Sequence, residues 1–340
     1  MEKFRLGRTE LMVSRSGFGA IPIQRIDDAD STALLRAAYN GGINYFDTAR
    51  GYTTSEHKVG LALGDVRSKI YIATKSPSST GEGFEKDLEK SLSELGTDYI
   101  DVYQFHNPSF ILRPGDENGL YDAALKAKAE GKIRHIGITS HRLELAKEMV
   151  KTGLFETMQF PMSSLATEEE LELVKLCNEL DVGFVAMKGL AGGLITSAKS
   201  TFAFLRQLDD VLPIWGMEKM WQLEEFLGYE EKPPALDDEM WEIIKKDREE
   251  LCGDFCRACG YCLPCPAGIA ITQAARMKPL LGRMEWRGLI SEQNQEMMRK
   301  INDCIDCRHC ADHCPYHLDT PTLLRSNLEF YEEFVNAHSV

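Results

Sequence analysis

The 340-residue sequence predicts an α/β chain, a (β/α)₈ TIM barrel followed by a smaller α-helical, cysteine-rich domain. Three observations predict it. Short β-type runs alternate with amphipathic helical segments eight times before residue 230. No G-x-G-x-x-G follows the first barrel strand, which weakens a doubly wound alternative. Nine of ten cysteines lie in the last 89 residues, and eight of them form two runs, each closed by a proline.

A hairpin is expected first, from Phe4 to Val13, with Gly7-Arg8 near its turn. Strand-like runs then fall at 16–23, 44–48, 70–75, 99–106, 135–140, 157–162, 183–188 and 211–215. Asp30 reads as the cap of a helix ending at Gly41-Gly42. Phe84, Leu88, Leu92 and Leu95 share one helical face that stops at Gly96, and Thr167-x-x-Glu170 reads as a capping box. The seventh and eighth helices are placed after Thr201 and after Gly216. Past Gly228 the chain turns to Tyr229-Glu-Glu-Lys-Pro233-Pro234, a linker that divides a barrel at 1–232 from a second domain at 233–340. Beyond it, helical spacing covers 240–251, 269–280, 291–301 and 320–336.

The first cysteine run is Cys256-x-x-Cys259-x-x-Cys262-x-x-Cys265-Pro266, and the second is Cys304-x-x-Cys307-x-x-Cys310-x-x-x-Cys314-Pro315. The second matches the bacterial iron–sulfur spacing, and the first is one residue shorter in its last gap. Three cysteines two residues apart can wrap one cubane, while the fourth, beyond a break at proline, ligates the other cluster in two-cluster ferredoxins. Cys256, Cys259, Cys262 and Cys314 are therefore assigned to one 4Fe–4S cluster, and Cys304, Cys307, Cys310 and Cys265 to another. Paired Cys₄ zinc sites and disulfides are the competing readings. Zinc needs only two C-x-x-C pairs, and nothing marks the chain as secreted, so the spacing favours iron. The 38 residues between the runs suit an α-helical ferredoxin-like domain carrying two 4Fe–4S clusters. Cys252 reads as a spare thiol and Cys177 as a core residue.

A net charge of −14 argues against nucleic acid as a partner, because phosphate binding needs a basic footprint. The opening residues Met-Glu-Lys-Phe-Arg carry no apolar leader, and no run of about 18 apolar residues marks a membrane span. Cytoplasm, where thiols stay reduced, is the expected location.

The barrel carries chemistry of its own. Asp47 ends the second run, Tyr52 follows it, Lys75 ends the third and His106 ends the fourth. Residues at the C-terminal ends of barrel strands converge on one face. A charged Lys beside a Tyr is expected to lower the phenol's pKa, making it a general acid for a carbonyl oxygen that His polarises. Taken singly, Tyr52 reads as a packing aromatic, Lys75 as a solvated strand end and His106 as a core histidine. At matched strand ends, function is the better joint reading.

Asp47-Thr-Ala-Arg-Gly-Tyr52, Ala73-Thr-Lys75, Tyr103-Gln-Phe-His106 and Gly131-Lys-Ile-Arg-His-Ile-Gly137 together resemble the aldo/keto reductase signature across about residues 1–228. The resemblance implies Tyr52 as proton donor, Lys75 and Asp47 tuning it, and His106 orienting substrate. Cys259-Gly-Tyr-Cys262-Leu-Pro-Cys265-Pro resembles the branch of that family with appended 4Fe–4S clusters. It also implies NAD(P). In the family's amide-binding positions stand Thr139, Ser140 and Gln159, and Met187 followed by Lys188 replaces the usual stacking aromatic. Gly216, Glu218 and Lys219 occupy the segment that normally grips a 2′-phosphate, and an acid there would suit the 2′-hydroxyl of NAD. Arg50, Asn107, His141 and Trp215 are expected at the pocket border.

A hydride carries two electrons and a cluster one. An FMN at the barrel mouth, structural clusters, or single electrons from an external ferredoxin would each resolve that mismatch. The leading reading is an oxidoreductase acting on a carbonyl or alcohol of a small-molecule substrate, with clusters relaying electrons to the site or a redox partner. An isomerase or epimerase without net redox change, and a non-catalytic electron carrier, are the alternatives.

Overall fold

The computed structural model describes residues 1–251, 255–283 and 286–338, so Cys252 lies outside the described residues. Contacts divide the chain into two compact units: Met1–Gly189 with Lys199–Met240, and Leu190–Ala198 with Trp241–Val340. The first unit thus runs past the expected boundary at 232, and the second takes in a segment between two barrel elements.

The hairpin pairs β1 (Lys3–Arg5) with β2 (Met12–Ser14) in antiparallel register. Gly7 turns it at φ +50°, and a Cβ there would meet the Gly183 nitrogen at 2.2 Å, so no other residue fits. Eight parallel strands follow: β3 (Gly17–Gly19), β4 (Tyr45–Asp47), β5 (Tyr71–Ser76), β6 (Ile100–His106), β7 (Ile133–Thr139), β8 (Thr157–Pro161), β9 (Gly183–Met187) and β10 (Val211–Gly216). β10 pairs with β3, Trp215 opposite Phe18, and closes the barrel. The first barrel strand stops at Gly19 rather than continuing to residue 23, because Pro22 starts a 3₁₀ turn over Pro22–Arg25.

The period-2 alternation of strands explains what fills the interior. Leu6, Leu11 and Val13 of the hairpin pack against Tyr45, Ala73, Val102, Val185 and Leu212. Two residues further along the same strands, the same parity presents Asp47, Lys75, Gln104 and Met187. An apolar plug fills one end, and Asp47, Lys75 and Gln104 bring polar groups to the next layer beside Met187.

The outer helices are α1 (Asp28–Asn40), α2 (Ser55–Leu63), α3 (Gly81–Leu95), α4 (Leu120–Ala129), α5 (Leu143–Lys151), α6 (Glu168–Glu179), α7 (Ala198–Leu205) and α8 (Met220–Glu231). The cap of α1 is Asp27, not Asp30: the Asp27 carboxylate accepts from the Asp30 N–H at 2.8 Å. The Thr167–Glu170 capping box forms reciprocally, at 3.2 and 3.0 Å. On α3, Phe84, Leu88 and Leu95 are buried and Leu92 is half-buried, and Gly96 closes the helix at φ +62°. α7 begins at Ala198, ahead of Thr201, and Thr201 is buried within it.

The helix α9 (Asp238–Leu251) enters the second unit at Trp241, and in that unit lie α10 (Ile271–Ala274), α11 (Met277–Leu281), α12 (Glu292–Arg299), α13 (His309–Asp312) and α14 (Thr320–His338). The single helix expected over 269–280 is two short ones. Pro279 has no N–H to offer the Ala275 carbonyl, so the helix restarts at Arg276. Ile271, Ala274, Met277, Met298, Ile301, Leu324 and Tyr331 form this unit's core, with Cys256, Cys262 and Cys310 among them. Cys177 sits apart in the barrel on α6, where burial pushes its thiol up to about 12. Among the described residues no helix is long and apolar enough to cross a membrane.

One buried carboxylate with two arginines ties three barrel strands. Fully buried Asp101 on β6 accepts from Arg67 at 2.7 Å, from Arg134 at 2.9 Å and from the Ile72 N–H at 2.9 Å. Both guanidinium groups lie over the Tyr99 ring, at 4.0 and 3.9 Å. Asp101→Ala is expected to cost about 3 kcal/mol in chemical denaturation, as removal of one partner of a buried pair does. A loss below about 1 kcal/mol would show that the pair does not hold these strands.

Candidate active site and the two cysteine cavities

Each tetrad residue owes its position to one barrel element. Asp47 ends β4 and Lys75 is the penultimate residue of the adjacent β5, and Lys75 Nζ donates to Asp47 Oδ1 at 2.6 Å and to the Thr48 carbonyl at 2.7 Å. Both side chains are almost fully buried. Tyr52 lies in the loop between β4 and α2, its ring 5.3 Å from Lys75 Nζ. Its ring meets His106, the last residue of β6, edge to face at 6.0 Å. The structure brings all four together.

Burial sets their electrostatics. It pulls the Lys75 ammonium below its ordinary value, opposed by Asp47, and pushes the Asp47 carboxyl up, opposed by Lys75. The expected lowering of Tyr52 is reversed: burial and then the Asp47 charge hold the phenol above its usual value. A phenol so held keeps its proton at neutral pH, which a proton donor requires. Burial, with the charges of Lys75 and Lys188, drives His106 down to about 3, so its imidazole is neutral.

Gln104 is the member the sequence reading missed. Its Nε2 reaches Asp47 Oδ2 at 3.3 Å and Gln159 Oε1 at 3.0 Å, while its Oε1 is buried without a partner. The signal was present, since Gln104 precedes His106 by two on β6 and shares its inward face.

The expected nucleotide residues fall into two groups. Gln159 on β8 points inward, with Nε2 3.4 Å from Asp47 Oδ1 and 3.8 Å from Met187 Sδ. Thr139 and Ser140 already use their hydroxyls, Thr139 accepting from the Asn107 N–H at 2.9 Å and Ser140 donating to the Arg142 carbonyl at 3.1 Å. Lys188 follows β9 at φ +60°. Gly216 ends β10, and Glu218 beyond it pairs with Arg25 at 2.8 Å. The inward Gln159 and the orphaned Gln104 oxygen fit an amide-bearing nucleotide ring, whereas Arg25 is neutralised by Glu218, with Lys219 the remaining positive charge of that segment.

One border residue differs from expectation, and another is tied to a buried acid. Trp215 has outward parity on β10 and stacks on Phe226 at 4.4 Å, its Nε1 donating to Ser16 at 3.0 Å, so it fills the layer between strands and helices. Arg50 pairs with the buried Glu56, which also accepts from Thr74 at 2.6 Å and Ser91 at 2.7 Å. Asn107 remains at the rim and accepts from the His141 N–H at 3.0 Å.

In the second unit the eight cysteines surround two cavities. One is lined by Cys256, Cys259, Cys262 and Cys314, the other by Cys265, Cys304, Cys307 and Cys310, and Cys310 also borders the first. Ile271 lines both. The Ala258 N–H donates to Cys256 Sγ at 3.4 Å. Among the described residues no three His, Cys, Asp or Glu side chains converge to share a single ion. Four soft thiols around each apolar cavity are a donor set that fits a 4Fe–4S cluster.

A closed parallel barrel with an acid, a phenol, a lysine and an imidazole at its C-terminal rim defines an oxidoreductase-type (β/α)₈ protein with an appended cysteine domain. The chain belongs to the aldo/keto reductase family, whose model matches residues 16–203, and it carries a 4Fe–4S dicluster domain at residues 255–319. It is 34% identical over 212 residues to the uncharacterized oxidoreductase YqkF of Bacillus subtilis, covering 58% of this chain and 67% of that protein. It is 32% identical over 211 residues to L-galactose dehydrogenase of Arabidopsis thaliana, covering 56% of this chain and 66% of that protein. The chain thus spans about two thirds of the length of these curated relatives. An aldo-keto reductase from Klebsiella pneumoniae, solved in complex with NADPH, shares the fold with a TM-score of 0.63 at 21% identity, covering 72% of this chain and 94% of that one.

The depressed His106 value predicts a pH effect with a definite sign. The unfolded imidazole takes up a proton near pH 6.5 and the folded one only near 3, so this group's share of stability is intact above 6.5 and lost as pH falls through that window. The His106 ring proton resonance should hold its neutral position from pH 8 to about 5. A titration midpoint near 6.5 would contradict the burial argument.

Proposed function

We propose that this chain is an oxidoreductase of aldo/keto reductase type that reduces a carbonyl, or oxidises the corresponding alcohol, at the Asp47, Tyr52, Lys75, His106 site, with two 4Fe–4S clusters exchanging electrons with that site or a redox partner. The observation that carries the reading is the buried 2.6 Å Lys75–Asp47 bond beside the edge-to-face Tyr52–His106 pair. Tyr52 gives its proton to the carbonyl oxygen. Asp47 holds Lys75, and Lys75 restores charge balance as the phenolate develops. His106, neutral, donates a hydrogen bond that orients the substrate oxygen. Gln104 fixes Asp47 and Gln159 in register.

NAD(P) would be held by Gln159 and Met187 on the inner wall, by Thr139, Ser140 and Lys188 at the rim, and by Gly216 and Glu218 beyond β10. When bound, it supplies or accepts hydride. The neutralised Arg25–Glu218 pair favours NADH over NADPH. Cys256, Cys259, Cys262 and Cys314 would ligate one cluster, and Cys265, Cys304, Cys307 and Cys310 the other. Two one-electron clusters together match the two electrons of one hydride, and an FMN would divide the pair if it binds. The likeness to a sugar dehydrogenase suggests a polyhydroxylated substrate. Ferredoxin is the partner class such clusters suit, and reduced thiols point to a reducing compartment such as cytoplasm.

Tyr52→Phe should lower turnover of carbonyl substrates by about 10²- to 10⁴-fold while leaving the cluster absorbance unchanged. Full turnover in that variant would sink the catalytic reading. Anaerobically purified protein should contain about eight iron and eight sulfide per chain. It should also use NADH in preference to NADPH; zinc in place of iron, or an NADPH preference, would overturn the respective assignment.

A further inference from the structure

The segment following β9 belongs to the cysteine unit, and among the described residues one of its two arginine anchors has no carboxylate partner. The chain leaves β9 at Met187, passes Lys188 and Gly189, and from Leu190 to Ala198 belongs to the second unit. Ala191, Gly192 and Gly193 have φ of +48°, +69° and +94°. Glycine adopts such angles freely, so the strain of this turn falls on Ala191. Arg276 Nη2 donates to the Gly192 carbonyl at 2.6 Å, and Arg283 Nη1 donates to the Leu194 carbonyl at 2.9 Å.

The two arginines differ in charge balance. Arg283 also pairs with Asp247 at 2.8 Å and Glu250 at 2.6 Å. Among the described residues no carboxylate pairs with Arg276, and its Nε is buried without a partner. Arg276 is half-buried, and a guanidinium partly withdrawn from water is steadied by nearby negative charge. Arg276 stands between α10 and α11, four residues beyond Thr272, which lines the cavity of Cys256, Cys259, Cys262 and Cys314. Burial lowers its pKa and the charge at Cys256 opposes that fall.

We propose that Arg276 is a positioning residue that links the charge of the cluster held by Cys256, Cys259, Cys262 and Cys314 to the order of loop 190–198. The inference rests on the cluster assignment proposed above. Positive charge near a cluster favours its reduced form. Reduction adds one electron to the cluster, strengthens its hold on Arg276 and so steadies the carbonyl of Gly192. By linkage, the loop's order in turn shifts the cluster's reduction equilibrium.

The test uses the full-length, cluster-loaded protein. EPR-monitored redox titration of Arg276→Gln should show one cluster harder to reduce by at least tenfold, about 59 mV for one electron, with the other unmoved. In the wild type, amide exchange in 190–198 should be slower when the clusters are reduced than when they are oxidised. Arg276→Lys keeps the charge but loses the fork, so its potential should stay near wild type while the redox dependence of loop exchange disappears. It serves also where Arg276→Gln fails to hold its clusters. Unshifted potentials in Arg276→Gln, or redox-dependent loop exchange that survives in Arg276→Lys, would overturn the proposal while leaving the cluster assignment intact. Wild-type protein without iron would overturn both.

Discussion

The buried pair of Lys75 and Asp47 is the interaction on which the rest of the barrel site depends. Two charges taken out of water cost several kcal/mol each, and the cost is offset only when every remaining donor and acceptor has a partner. Here Asp47 receives Lys75, Gln104 and Gln159, and Lys75 also donates to the Thr48 carbonyl. Those partners come from β4, β5, β6 and β8, so the pair exists only when the barrel is closed in register. The hairpin plug at the opposite end keeps water from reaching it from below. Burial also keeps the Tyr52 phenol protonated and the His106 ring neutral.

The cysteine unit obeys a different constraint. α10, α11 and α13 have only four or five residues each, too few to be stable on propensity. Packing around Ile271, Met298 and Tyr331 supplies part of their order. Thiol ligation would supply the rest, as it does in small metal-dependent domains whose cores are too small alone. The barrel hides its charges inside a finished fold, whereas this unit keeps soft ligands around spaces that a cofactor completes.

Much of this was legible along the chain. Barrel strands announce themselves because β-branched and aromatic runs alternate with capped amphipathic helices, and the Thr167–Glu170 box fell where its spacing put it. Asp30 misled because three acidic residues crowd that helix start, and which one has extended backbone is a tertiary matter; Asp27 has it. Pro279 alone should have broken the helix over 269–280. Trp215 was misplaced for want of parity: counting from Ile214, which faces the interior, sends the next side chain outward. Gln104 was overlooked though the same counting from His106 turns it inward.

The amino-acid sequence by itself determined the alternation that closes eight strands, the identity of the four rim residues, and the cysteine spacing that divides eight thiols into two sets. These are local or periodic properties, written in the order of residues. Only the tertiary structure decided the direction of the Tyr52 shift, the pinning of Arg50 by Glu56, the capture of Asp47 by two glutamines, and the hold of Arg276 on Gly192. Each of those depends on which groups from distant segments share a water-poor space, and desolvation has no signature in one dimension.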